Sequence, residues 1–107
     1  MKQLSVAQLS QWLADPQREA PRLLDVREPW EFAICRIQGS DMVPLGTLIA
    51  QPASVDCTRP VVCVCHHGSR SLHAALTLEQ RGCADVYNLA GGIDAWARQV
   101  DPEMQIY

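Results

Sequence analysis

Cys65 closes the apolar run Val61-Val62-Cys63-Val64-Cys65, and the polar turn His66-His67-Gly68-Ser69-Arg70-Ser71 follows it directly. A thiol, a glycine, an arginine and two hydroxyls within seven residues are the types that attack with sulfur and hold an anion. A thiolate is the nucleophilic form of cysteine, and nearby positive charge stabilises it. Gly68 lets the backbone turn tightly so that N–H groups converge. Arg70 offers a planar fork that fits anionic oxygens. His66 and His67 titrate near neutral pH and so offer a charge or a proton. The plainer alternative is that they contribute only backbone N–H groups and face solvent. Likewise, Cys65 has a plain reading as one more buried strand cysteine.

The elements around the turn decide what it can do. The β-branched run 61–65 predicts a central parallel strand covered on both faces. A helical pattern follows from about Arg70 to Arg81, with Gly82 just past its end. Cys65 therefore stands at the carboxyl end of a strand and beneath a helix N-terminus, where free N–H groups favour anions. Upstream, Ser5 and Gln8 form a capping-box pattern ahead of Val6, Leu9, Trp12 and Leu13, which predicts a helix ended by Asp15-Pro16. A short strand is expected over Arg22–Val26, with Asp25 near its end. Glu28-Pro29 opens a helix through about Ile34. A brief strand is expected over 41–44, an irregular helical turn over 45–50, a strand over 85–89, and a helix from Gly91-Gly92 to about Gln99. Residues 100–107 carry no strong pattern. Strands alternating with helices predict an α/β domain with a mostly parallel sheet.

Bulk properties bound the function classes. The chain has 107 residues, which suits one domain. Its net charge is −3, with a single lysine, Lys2, and scattered arginines, so no nucleic-acid partner is expected. No apolar run approaches the roughly 20 residues of a membrane span, and the N-terminus has no signal-peptide core, so a cytoplasmic protein is expected. The five cysteines, Cys35, Cys57, Cys63, Cys65 and Cys83, lack disulfide-framework spacing. Four of them are expected to be structural thiols, with a regulatory or resolving role open. Cys63 and Cys65 would lie about 6.6 Å apart in an extended strand, near the upper limit for a bridge. Zinc sites show two pairs of ligands at short spacing. Cys63, Cys65, His66, His67 and His73 supply no second pair, so no metal and no cofactor are expected.

The residues also resemble a family. Asp25-Val26-Arg27-Glu28, Cys65-His66-His67-Gly68-Ser69-Arg70-Ser71 and Asn88-Leu89-Ala90-Gly91-Gly92-Ile93-Asp94-Ala95-Trp96 are similar, in order and spacing, to the motifs of single-domain rhodaneses. The likeness runs from about residue 4 to 98, leaving 99–107 as a tail. It implies a rhodanese-like three-layer α/β/α fold around a central, mostly parallel sheet. It also implies a sulfurtransferase in which catalytic Cys65 takes sulfane sulfur from thiosulfate or a persulfide and passes it to a thiophilic acceptor, such as cyanide, a thiol or a protein thiol. His66, His67, Gly68, Ser69, Arg70 and Ser71 would bind the donor and cradle the persulfide. Asp25 and Arg27 would give polar support beside the site, or form a purely structural ion pair.

Four residues separate Cys65 from Arg70. Rhodanese-like phosphatases carry a longer loop, which makes phosphatase or arsenate reductase chemistry the weaker enzyme reading. A non-catalytic binding module is the other alternative, and the presence of Cys65 argues against it. Two departures from the family pattern stand out. His66 and His67 occupy positions where many thiosulfate-using relatives place Arg or Lys, and Cys35-Arg36-Ile37-Gln38-Gly39-Ser40 replaces the usual Gly-His-Ile-Pro-Gly-Ala. The first raises a persulfide to equal standing with thiosulfate as donor. The second predicts altered packing with intact catalysis.

Overall fold

In the computed structural model, which describes residues 1–107, five strands form one sheet in the order β1-β5-β4-β2-β3, and every pairing is parallel. The strands are β1 (Lys2–Leu4), β2 (Arg22–Asp25), β3 (Asp41–Met42), β4 (Val61–Val64) and β5 (Val86–Leu89). The helices are α1 (Val6–Ala14), α2 (Pro29–Ile34), α3 (Leu45–Ala50), α4 (Ser69–Gln80) and α5 (Gly92–Gln99). No helix is long and apolar enough to cross a membrane.

The sheet divides two apolar clusters, which makes the three layers. On one face, Val62, Val64, Tyr87 and Leu89 pack with Leu9 and Trp12 of α1 and with Ile93 and Trp96 of α5. On the other, Leu24, Val61 and Cys63 pack with Leu48 of α3 and with Ala74, Ala75 and Leu78 of α4. Successive residues of a strand point to opposite faces, so β4 must be apolar throughout to serve both clusters. Val61, Val62, Cys63 and Val64 are each completely buried. The expected capping box is present: Ser5 Oγ accepts from the Gln8 N–H, and Gln8 Oε1 accepts from the Ser5 N–H.

The structure departs from the sequence expectations in three places. The first strand, β1, had no pattern: two of its three residues are exposed, and its parallel pairing with Tyr87, Asn88 and Leu89 of β5 makes it a strand. Residues 45–50 form a regular helix rather than an irregular turn, with Leu48 fully buried as its anchor. Cys57 and Cys83, expected as separate structural thiols, form a disulfide across Cα atoms 5.5 Å apart. The fold causes this by bringing the segment before β4 against the turn after α4. Their separation of 26 residues hides that proximity. The tail is also ordered: Val100, Met104 and Tyr107 pack onto the α1/α5 cluster.

Candidate active site

Cys65 follows the last residue of β4 and is almost fully buried. Its Sγ receives the Gly68 N–H at 3.1 Å and lies 3.2 Å from Ser71 Oγ. Gly68 is the N-cap of α4 with φ +110°, a left-handed conformation that side-chain-bearing residues rarely adopt. The N–H groups of His66, His67, Ser69, Arg70 and Ser71 bond to no other protein group. Five uncommitted donors at the start of a twelve-residue helix, in the turn that carries the sulfur, are the features of an anion site.

Behind the sulfur runs a buried polar chain. Ser71 Oγ donates to Asn88 Oδ1 at 2.5 Å, and Asn88 Nδ2 donates to Gln3 Oε1 at 3.0 Å and to Gly68 O at 3.1 Å. Both amide hydrogens of Asn88 are committed, so its oxygen faces Ser71. Ser71 has one proton. With a protonated thiol, Ser71 accepts from sulfur and donates to Asn88. An ionised sulfur would take the Ser71 proton as its own hydrogen bond, a charge-assisted one.

The loop is fixed from the other side by α5. Ile93 N–H donates to Cys65 O at 2.8 Å, and Asp94 N–H donates to His66 O at 3.0 Å. This close approach explains Gly92. Its φ is +61°, and a Cβ there would lie 2.5 Å from the carbonyl oxygens of both Cys65 and His66.

Arg70 is held rather than free. Its Nη1 and Nη2 donate to Glu31 Oε1 and Oε2 at 2.6 and 2.8 Å, a bidentate pair. Glu31, on α2, is buried, and Arg70 holds its carboxyl down at about 2, with the Tyr107 hydroxyl helping. Tyr107 Oη donates to Glu31 Oε2 at 2.7 Å and accepts from Arg27 Nη1 at 3.0 Å. Burial pushes the Tyr107 phenol up to about 12, so it remains a donor.

Arg27 and Asp25 are both fully buried. Arg27 Nε and Nη2 donate to Asp25 at 2.9 and 2.7 Å, and Nη2 also donates to Cys35 O at 2.6 Å. This ion pair does not touch Cys65. It reaches the loop through Tyr107, Glu31 and Arg70.

The two histidines differ. His66 stacks on Tyr107, with ring centres 3.9 Å apart and planes within 6°. Burial, and then the neighbouring His67, push its pKa below the usual histidine value. His67 is exposed and lies tilted against the His66 ring at 3.9 Å. Ser69 is also exposed. Cys63 faces the α4 side, and burial pushes its thiol up to about 12, so it stays protonated.

Four residues of this arrangement had weak signals in the sequence or none. Glu31 is three residues after Glu28 in a helix start, a capping position. Asn88 is a lone polar residue in an apolar strand. Gln3 and Tyr107 had none beyond a polar residue near the N-terminus and an aromatic in a patternless tail.

With this geometry in view, sequence comparison is decisive. Residues 5–99 match the rhodanese-like domain family. The chain belongs to that family. Thiosulfate sulfurtransferase GlpE of Pseudomonas aeruginosa is 38% identical over 81 residues, covering 76% of this chain and 73% of that protein. The Bacillus subtilis protein YqhL is 38% identical over 79 residues, 74% of this chain and 63% of its own length. MoeZ of Mycobacterium tuberculosis, a probable adenylyltransferase/sulfurtransferase, is 34% identical over 94% of this chain, which spans 26% of that protein. Among solved structures, a rhodanese-like domain protein from Staphylococcus aureus superposes with a TM-score of 0.81 at 27% identity, covering 100% of this chain and 99% of that one. The human single-domain sulfurtransferase TSTD1 gives 0.76 at 25% identity, covering 92% and 97%. The fold is thus that of a rhodanese-like domain, and the family's named members include sulfurtransferases.

Proposed function

We propose that this rhodanese-like domain is a sulfurtransferase that carries sulfur as a persulfide on Cys65. The observation that supports it most is the setting of the sulfur: one N–H and one hydroxyl already at Cys65 Sγ, with five free N–H groups in the same turn. Such a turn stabilises negative charge on the cysteine and on one sulfur beyond it. In the first half-reaction the thiolate attacks the outer sulfur of the donor. An Sγ–S bond forms, the donor's S–S bond breaks, and sulfite or a thiolate leaves with the electron pair. In the second, a thiophilic acceptor attacks the outer sulfur and Cys65 leaves as thiolate.

Arg70 is paired on both arms with Glu31, and no other Arg or Lys lies in the loop. The doubly charged thiosulfate therefore meets little free positive charge, which favours a singly charged persulfide, small or protein-borne, as donor. The acceptor is a thiophile, such as a thiol or cyanide. Steady-state transfer from thiosulfate and from a low-molecular-weight persulfide to cyanide or a thiol tests this. Transfer from the persulfide that is abolished in Cys65→Ala is expected. Transfer unaffected by that substitution would reject Cys65 as the carrier, and none from either donor would reject the proposal in favour of a binding module.

A further inference from the structure

The rim of the loop gathers three metal-ligating side chains, the adjacent His66 and His67 and the sequence-distant Asp94. One nitrogen each of His66 and His67 and one carboxylate oxygen of Asp94 all lie within 4.8 Å of one another. The fold holds this grouping together, because the Asp94 N–H donates to His66 O at 3.0 Å and so ties the first turn of α5 to the loop. A second observation is independent of the first: His66 Nε2 is buried and has no hydrogen-bond partner. Buried polar nitrogens are nearly always paired, and an orphan needs a reason. Arg98 Nε binds one Asp94 oxygen, Oδ2, at 3.1 Å, and the other accepts no side-chain hydrogen bond. Cys65 Sγ is engaged with Gly68 and Ser71, which leaves it out of this cluster.

We propose that His66, His67 and Asp94 form a binding site for a borderline divalent transition metal, with zinc as the reference ion. Two imidazoles and a carboxylate are the donor set of an open, four-coordinate zinc site, with solvent as the fourth ligand. Calcium and magnesium require more oxygens than this rim offers, and copper(I) prefers sulfur. Donors bound at about 2.0–2.1 Å in a tetrahedron stand roughly 3.3 Å apart. His67 is exposed, so its ring is free to rotate toward the other two donors. An ion held there would sit on the turn that carries Cys65.

This inference does not depend on sulfur transfer, and its test removes the thiol. Titration calorimetry of Zn2+ into the Cys65→Ala chain should show one site. The affinity should fall about ten- to hundredfold in Asp94→Asn and in His67→Ala, each made in the same background. Both substituted residues lie outside the core, so the fold survives. Co2+ in place of Zn2+ should give tetrahedral visible absorption without thiolate charge transfer. Absence of a site in Cys65→Ala, affinity unchanged by both substitutions, or a thiolate charge-transfer band from the remaining cysteines would overturn it.

Discussion

At the scale of residues, two cysteines one position apart have opposite fates. Cys63 points into the α4 side of the core and is held protonated by burial, whereas Cys65 meets Gly68 N–H and Ser71. A thiol reagent at neutral pH should therefore label Cys65 and leave Cys63 untouched in the folded chain, as peptide mapping would show. Ser71→Ala removes a hydroxyl that bonds both sulfur and Asn88. Turnover should fall about tenfold, the effect of one hydrogen bond to a charged group. The orphaned Asn88 oxygen should cost about 1–3 kcal/mol in a denaturant titration. Turnover equal to that of the unmodified chain would mean that Ser71 does not serve the sulfur. The sequence made Cys65 and its turn legible because local order suffices to place a strand end, a turn and a helix start. It did not show that Glu31 holds Arg70, because that pairing joins residues 39 apart.

Among the elements, α5 and the tail do most to hold the turn. Gly92 permits the N-terminus of α5 to sit against the carbonyls of Cys65 and His66. Gly92→Ala adds a methyl where none fits, at a left-handed φ, and should cost about 1–3 kcal/mol or more. Turnover should drop further than that loss of stability alone explains, since the displaced backbone is that of the active turn. Tyr107→Phe removes a hydroxyl between Arg27 and Glu31. The fold should survive with a loss of about 1–3 kcal/mol, measured by thermal unfolding, because the buried Glu31 carboxylate loses a donor and Arg27 Nη1 keeps only its longer contacts to Glu31 O and Cys35 Sγ. The helices other than α3, and the four longer or patterned strands, were legible from periodicity, capping and glycine placement. The edge strand β1 and the tail were not, because each is organised by what it packs against.

Across the whole molecule, charge and covalent linkage set stability. The Glu31 carboxyl, held at about 2 in the folded chain, adds stability that is complete above its unfolded value of 4.5. That contribution, at most about 3 kcal/mol, should disappear as pH falls from about 4.5 to about 2. In urea titrations across that range, Glu31→Gln should show a smaller pH dependence than the unsubstituted chain. The Cys57–Cys83 bridge closes a loop between residues 26 apart, so reduction should lower stability by about 2–4 kcal/mol. Replacing both bridge cysteines by serine should leave Cys65 able to carry sulfur, because its sulfur is set by Gly68 and Ser71 and by neither bridge residue. The parallel α/β class was legible from the alternation of strands and helices, whereas the bridge was hidden by sequence distance. The persulfide itself is the central claim, and intact-mass spectrometry reads it most directly. After exposure to a small persulfide and removal of excess donor, the chain should gain the mass of one sulfur, lose it on addition of a thiol, and show no gain as Cys65→Ala. A gain retained in Cys65→Ala, or no gain in the unsubstituted chain, would contradict the account.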